Sequence, residues 1–244
     1  FRSLVRVGGD WHGAGADGDA NASQTFLGAN SVIKANAINS GDGGNVAVWS
    51  DDRTQFFGKI DASAGAGTGG AVETSSHHVL TADGSVDASS ATGKGGSWLL
   101  DPDSITITSS GTTDATETGH VWDNHAITTS TLNVAQLNPS LTNTTVTVQT
   151  TSGNGSITVD APVVSALTSG QTGSLVLDAA HDITFTANGS ISTGAGTTFN
   201  VTLSAGTGGT LASTIAMDPL SSIDTGGGLF TAISKSNTMT LAGL

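Results

Sequence analysis

Short runs in which apolar and polar residues alternate recur along this chain, each set off by glycines. Val46 and Val48 follow Gly43-Gly44, Val72 follows Gly69-Gly70, and Trp98 and Leu100 follow Gly95-Gly96. Alternation with period two is the strand pattern, with side chains facing opposite sides in turn. The runs also keep a longer beat. Gly44, Gly70 and Gly96 keep a step of 26, as do Gly58 and Gly84, Ile60 and Val86, Asp61 and Asp87, and Ser63 and Ser89. The phrases "GKIDASAGAGTGG" (58–70) and "GSVDASSATGKGG" (84–96) are near copies. A fixed period of this size marks stacked repeats. One unit reads as a coil of about three short strands joined by glycine-rich turns.

The beat returns in the second half. Ile157 and Val159 recur as Ile183 and Phe185, and Leu175 and Leu177 as Val201 and Leu203, again at a step of 26. "SISTGAG" (190–196) is echoed by "SSIDTGGG" (221–228) at a longer step of about 32, which places an insertion within 210–220. A looser copy of the phrase occupies 31–44. The pattern divides the chain into regular coils over 1–103, an irregular middle over 104–143 and a second run of coils over 144–244, all in one continuous solenoid. "TLNVAQLNP" (131–139) is the one predicted helix, ended by Pro139. At about 26 residues per coil the chain makes about nine coils, a rod about 45 Å long. Stacking puts Ile60 over Val86 and Leu175 over Val201 in apolar ladders, with glycines at sharp turns needing positive φ.

Composition narrows the class. Charged residues make up 11% and aromatics 5%, against 36% apolar residues and 34 glycines, so the chain reads as folded and all-β. The net charge is −13 with seven basic residues, which leaves no footprint for nucleic acid and none for a polybasic contact with anionic lipid. No 18-residue apolar run predicts membrane insertion. Cysteine is absent, removing disulfides and thiolate chemistry together. The chain opens at Phe1 inside a strand-like "FRSLVRVGG", as a piece of a longer protein would.

Several stretches together resemble one family. These are "LVRVGGDWHGAG" (4–15), "GDGGNVAVWSDDRTQFFGKIDASAG" (41–65), "GGAVETSS" (69–76), "GSVDASSATGKGGSWLLDPDSITI" (84–107) and "TLNVAQLNPSLTNTTVTVQTTSGNGSITVDAPV" (131–163). As a set they are similar to the filamentous-haemagglutinin-like adhesins of Gram-negative bacteria, exported by two-partner secretion or as autotransporter passengers. The resemblance implies a right-handed parallel β-helix on the outer surface of a Gram-negative cell. It implies export of the parent protein through an outer-membrane β-barrel partner, and attachment to host or matrix glycans and glycoproteins or to neighbouring cells. It carries no catalytic residues, no metal and no cofactor. The chain departs from the pattern at "IKANAIN" (33–39), and the N-terminal secretion domain of the family is not in it.

Candidate chemistry is sparse. Asp61 and Asp87, one coil apart, form a paired-carboxylate site for Ca²⁺ or glycoside hydrolysis, or else two turn carboxylates satisfied by water and amides. Asp51, Asp52 and Arg53 after Trp49 suggest a carboxylate-and-base groove, or a charged turn. His77 and His78 lie between two strands, where neighbouring side chains point apart, and a metal would need a third ligand. In the middle segment His120, Trp122, Asp123 and His125 form the candidate ligand-binding cluster, Trp122 offering a ring face to a sugar; the competing reading has Trp122 plugging a gap in the core. Five Asn-x-Ser/Thr sequons begin at Asn21, Asn143, Asn154, Asn188 and Asn200. The leading expectation is a non-enzymatic surface adhesin segment. Its rivals are a polysaccharide lyase or hydrolase on a β-helix, and a passive stalk without a ligand of its own.

Overall fold

A computed structural model describes residues 3–15, 18–111, 129–208, 212–235 and 239–243. The chain winds into a parallel β-solenoid of about seven turns with about 28 residues per turn. That is fewer and longer coils than nine of 26, because inserted residues lengthen several of them. At about 4.8 Å per rung the stack is about 35 Å long, shorter than the sequence period implies.

The coils are arranged in three faces. The first is an eight-stranded sheet of Leu4–Val7, Asn45–Val48, Ala71–Thr74, Ser97–Leu100, Thr145–Gln149, Thr172–Ala179, Thr198–Ala205 and Phe230–Ser234. The second has nine strands in the order Gln24–Leu27, Arg53–Phe56, Val79–Ala82, Ser130–Asn133, Ile105–Thr108, Ile157–Val159, Ile183–Phe185, Ile215–Met217 and Met239–Thr240. The third is two three-stranded sheets, Val32–Lys34 with Lys59–Asp61 and Ser85–Asp87, and Pro162–Val164 with Ser190–Ser192 and Ser222–Ile223.

Three of the registers expected from the 26-residue beat are observed directly. Ile60 pairs with Val86, Leu175 with Val201 and Ile157 with Ile183, all parallel. One inward column of the first face runs Val5, Val46, Val72, Trp98, Val146, Leu175, Val201, Phe230 without a break. Each fully buried chain in such a column contributes roughly 1.5–3 kcal/mol. Thr74 interrupts the neighbouring column inside the core, where its hydroxyl accepts from the Trp98 indole N–H at 2.9 Å. Ala205 follows Ala179 at the usual step, but the step from Ile183 to Ile215 is 32, so the late insertion falls between Ala205 and Ile215, ahead of most of 210–220.

The Gly-Gly pairs have a reason other than positive φ. A Cβ on Gly43 would lie 1.9 Å from the Ala62 carbonyl oxygen, and one on Gly69 the same distance from that of Ala88. On Gly70 and Gly96 it would lie 2.1 Å and 1.9 Å from the carbonyls of Gly44 and Gly70, one rung below. The N–H groups of Gly44, Gly70 and Gly96 donate across the coil to Ala35, Ala62 and Ala88 at 2.7–2.8 Å. Two backbones therefore meet at this corner in each of these three coils, and no side chain fits between them.

The order of the second face departs from the order of the chain. Ser130–Asn133 lies between Val79–Ala82 and Ile105–Thr108, so a later strand occupies a slot beneath an earlier one. This explains why Ser97 pairs with Thr145, far beyond the reach of a single coil. Helix α1 (Val134–Ser140) follows at once, capped by the Asn133 side chain on the Ala135 N–H at 2.9 Å. It overlaps the expected segment 131–139 but runs one residue past it: Pro139 lies inside the helix and Ser140 ends it. The helix sits between the two sheets of the third face. Its side chains take over the missing strand bonds: Ser140 Oγ accepts from the Val86 N–H at 3.3 Å and Asn138 Oδ1 from that of Val164 at 3.0 Å. Leu137 and Leu141 fill the core behind it.

Candidate functional site

The corner between the first and second faces gathers most of the chain's unusual chemistry. The 26-residue spacing puts Trp49, Ser75 and Asp101 at equivalent places on three successive coils, and likewise Asp51, His77 and Asp103. Inside the corner a hydroxyl network replaces apolar filling. Ser50 Oγ lies 2.8 Å from Thr54 Oγ1 and 3.3 Å from Ser76 Oγ, and Thr54 donates to the Ser75 carbonyl at 2.7 Å. Ser75 Oγ accepts from the Asp101 N–H at 3.1 Å.

Residues 8–15 and 18–22 fold back over this corner as a strap. Asp10 accepts from the Trp11 N–H at 2.7 Å and opens a single 3-10 turn, Trp11–Gly13. The Trp49 indole packs beneath Gly9 and Gly13, where added Cβ atoms would fall 2.7 Å and 2.4 Å from its ring. Asn21 ties the strap down from its far side, its amide donating to Asp51 Oδ1 at 2.9 Å, an atom that also accepts from Trp49 Nε1 at 3.3 Å.

Beneath the strap lies Glu73, an outward residue of the first face that is nonetheless fully buried. Its Oε2 accepts from the His12 N–H at 2.9 Å, and its Oε1 lies 3.7 Å from His12 Nδ1 and makes no hydrogen bond. Burial pushes the Glu73 carboxyl up to about 7, the His12 N–H and the Ser75 side chain pulling the other way and Asp10 adding to the rise. Asp101, 5% exposed, is pushed up to about 6 by burial, opposed by the Thr151 hydroxyl and His12 and reinforced by Glu73 and Asp103. His12 itself adopts φ 55° and ψ 20°, left-handed backbone that costs a non-glycine residue about 1–2 kcal/mol.

Further along the corner, His78 Nδ1 meets Asp103 Oδ2 at 2.9 Å, and the His77 ring stacks on that of His78 at 4.6 Å. The two side chains thus lie together rather than apart, because both sit in the turn outside the strand. Among the described residues no group of three His, Cys, Asp or Glu is arranged to hold a metal. Beside this pair a cleft of about 310 Å³ opens on the second face, lined by His78, Asp103, Ser104, Thr106, Thr129, Ser156 and Thr158 among others. It is lined by Thr106 and Thr158 of a column of outward threonines on four consecutive rungs, Thr131, Thr106, Thr158 and Thr184; Thr81, in register below Thr131, is fully buried.

The other sequence candidates separate. Asp61 and Asp87 are in register on the third face, with Lys34 one rung below. Each carboxylate is spent on its own turn: Asp61 accepts from the Ser63 N–H and hydroxyl at 3.1 and 2.6 Å, and Asp87 from those of Ser89 at 3.0 and 2.7 Å. The turn reading is the observed one. Asp51 serves the strap, while Arg53 is buried on the second face, so the Asp51, Asp52 and Arg53 run does not form a groove with Asp61 and Asp87. His120, Trp122, Asp123 and His125 lie outside the described residues. Of the sequon asparagines, Asn154 and Asn188 are exposed in turns, whereas Asn143 donates to Ser90 O and Asn200 accepts from the Leu229 N–H.

Glu73, Asp101 and His12 were not among the residues the sequence singled out. The signal was there: the first-face register stacks Ala47, Glu73 and Leu99, a carboxylate between two apolar neighbours.

The fold defines the chain as a parallel β-solenoid. No protein-family model matches it, and no curated protein matches it either. Among the described residues no helix is long and apolar enough to cross a membrane.

Proposed function

We propose that the chain is a non-catalytic segment of a large bacterial surface adhesin, secreted to the outer surface of a Gram-negative cell. In this reading the parent protein leaves through an outer-membrane β-barrel exporter, and the segment contacts host or matrix glycans, glycoproteins or neighbouring cells. The observation that carries the reading is the threonine column. Four hydroxyls, those of Thr131, Thr106, Thr158 and Thr184, stand at rung spacing on one rigid face, with a cleft beside Thr106 and Thr158 and the His78–Asp103 pair at its edge. A polyhydroxylated polymer is the ligand such a row suits, since many weak contacts along a stiff array add up without any deep pocket. The sequence resemblance supports the same reading.

One observation favours hydrolysis instead: two carboxyls with raised pKa near each other. Both are closed under the strap or within the corner, which denies a substrate access in this arrangement. The test places the purified chain on neutral and acidic polysaccharides and host glycoproteins, scoring retention and new reducing ends together. Retention without product, lost in Thr106→Val/Thr158→Val, supports the adhesin reading. New reducing ends overturn it in favour of an enzyme, and neither signal leaves a stalk.

A further inference from the structure

We infer that the second-face cleft selects uncharged sugar polymers and turns away sulfated and uronic-acid ones, which rests on the glycan-binding reading above and narrows it. The cleft has a structural origin. The Asp103 N–H donates to the His78 carbonyl at 3.2 Å, so the two chains leave the corner as direct neighbours. Two residues on, Ile105 pairs with Ser130 rather than with the coil below, because Ser130–Asn133 is wedged between Val79–Ala82 and Ile105–Thr108. The concavity of about 310 Å³ sits at this fork, with Val79, Ile105 and Ser130 in its lining beside His78 and Asp103.

The lining separates hydroxyls already engaged from hydroxyls still open. Ser130 Oγ accepts from the Leu80 N–H at 3.0 Å, and Ser104 Oγ from the Ser156 N–H at 3.1 Å. Thr106 and Thr158, one rung apart, have hydroxyls without a hydrogen-bond partner among the described residues. Each of them both donates and accepts, as a sugar hydroxyl does, so the pair suits a neutral ring in either sense. Asp103 Oδ2, 2.9 Å from His78 Nδ1, only accepts. A sugar hydroxyl donates to such a carboxylate; a sulfate or a uronate has no proton to offer it.

The charge around the fork makes the same choice. Between Lys94 and Lys235 the sequence holds no Lys or Arg, against ten Asp and Glu, and that stretch supplies every cleft residue except His78 and Val79. Arg53, in register with Val79 one rung below, is buried. His78, when protonated, is offset by the Asp103 it touches. Asp160 and Asp182 lie two residues from Thr158 and Thr184 in sequence, so acids accompany the threonine column as it leaves the cleft. An anionic polymer laid along it meets like charge without a matching lysine or arginine.

The experiment measures retention of the intact chain at pH 8, where histidine is ordinarily neutral, on neutral polysaccharides of several backbones and on sulfated and carboxymethylated forms of each. The expected result at low salt is retention on at least one neutral polymer and about tenfold or more weaker retention on its charged forms, two close like-charge contacts each costing about fourfold in water. Raising salt to about 1 M, where the screening length is about 3 Å, should bring the forms towards parity. Thr106→Lys/Thr158→Lys should reverse the preference, whereas Thr202→Lys/Thr231→Lys, the same two charges one rung apart on the first face, should not. Equal or stronger wild-type retention on the charged forms overturns the inference while leaving the adhesin reading in place. So does discrimination that ignores salt, or a reversal that follows the first-face lysines equally. Retention on nothing overturns the adhesin reading and this inference with it. Should Thr106→Lys/Thr158→Lys not fold, the salt dependence of the wild-type preference decides alone.

Discussion

Replacing Gly70 with alanine tests whether the Gly-Gly corner is a contact between backbones. The new Cβ would stand 2.1 Å from the Gly44 carbonyl oxygen and 2.9 Å from both the Cβ and the carbonyl oxygen of Ala62. Gly44 O and Ala62 O are backbone atoms, so no side chain can swing away and one rung must shift relative to the next. Overpacking of this kind costs about 1–3 kcal/mol. The shift also strains the Gly70 N–H bond to Ala62 O, now 2.8 Å, and the Ser97 N–H bond to Gly70 O, now 3.0 Å, each worth about 1 kcal/mol. The expected loss is about 3–5 kcal/mol. The control is Gly153→Ala, where nothing lies within 4 Å of the added atom and φ is not positive, so the change should be neutral or stabilising by up to about 1 kcal/mol. Urea unfolding followed by far-UV circular dichroism reads both. A Gly70→Ala midpoint indistinguishable from that of wild type would refute the close-approach argument and return the glycines to a role in chain flexibility.

Three further outcomes are expected. Trp98→Ala empties the largest fully buried side chain and orphans the Thr74 hydroxyl, for a loss of about 3–5 kcal/mol in the same urea assay. Asn138→Ala leaves the Val164 N–H without its acceptor and should cost about 1 kcal/mol, measurable as faster exchange of that amide. Asp101 binds its proton more tightly folded than unfolded, so its contribution is complete below 3.8 and lost as pH rises through about 6. Wild type should therefore lose up to about 3 kcal/mol across that window, and Asp101→Asn should lose less, a difference that thermal melts at pH 4 and pH 6.5 will show.

The registers were readable because a parallel stack of equal coils forces equivalent residues to coincide. Val46, Val72 and Trp98 could be aligned before any coordinate was known, since a one-residue slip would turn each of them outward. The glycines stand out in the sequence, but for the wrong physical reason: their spacing is visible there, whereas a carbonyl oxygen 1.9 Å from an absent Cβ is not. The Ser130–Asn133 slot was invisible for a related reason. Val79 and Ile105 themselves keep the regular step, so the beat points to a direct pairing that the structure interrupts. Asp61 and Asp87 looked like a site because their repetition was conspicuous, yet repetition there reflects a turn that needs a carboxylate acceptor each time. Glu73 and Asp101 drew no notice because their chemistry depends on a cover supplied by residues about 60 and 90 positions earlier, a distance at which composition and spacing carry no information.

The out-of-order strand bears on how the molecule is assembled. A solenoid fed out from its first residues grows as a template does, each new rung copying the direction of the edge below it. At the Val79–Ala82 edge the first comer is Ile105–Thr108, whereas the permanent neighbour, Ser130–Asn133, has yet to arrive. Growth on the second face must either leave that edge waiting or form a provisional pairing and then exchange it. The rungs that stack on Ile105–Thr108 inherit its position, and so they can settle only after the latecomer is seated. One four-residue strand thereby acts as a clutch between two stretches of growth, and damage to it would be felt as mis-stacked coils far beyond its own contacts.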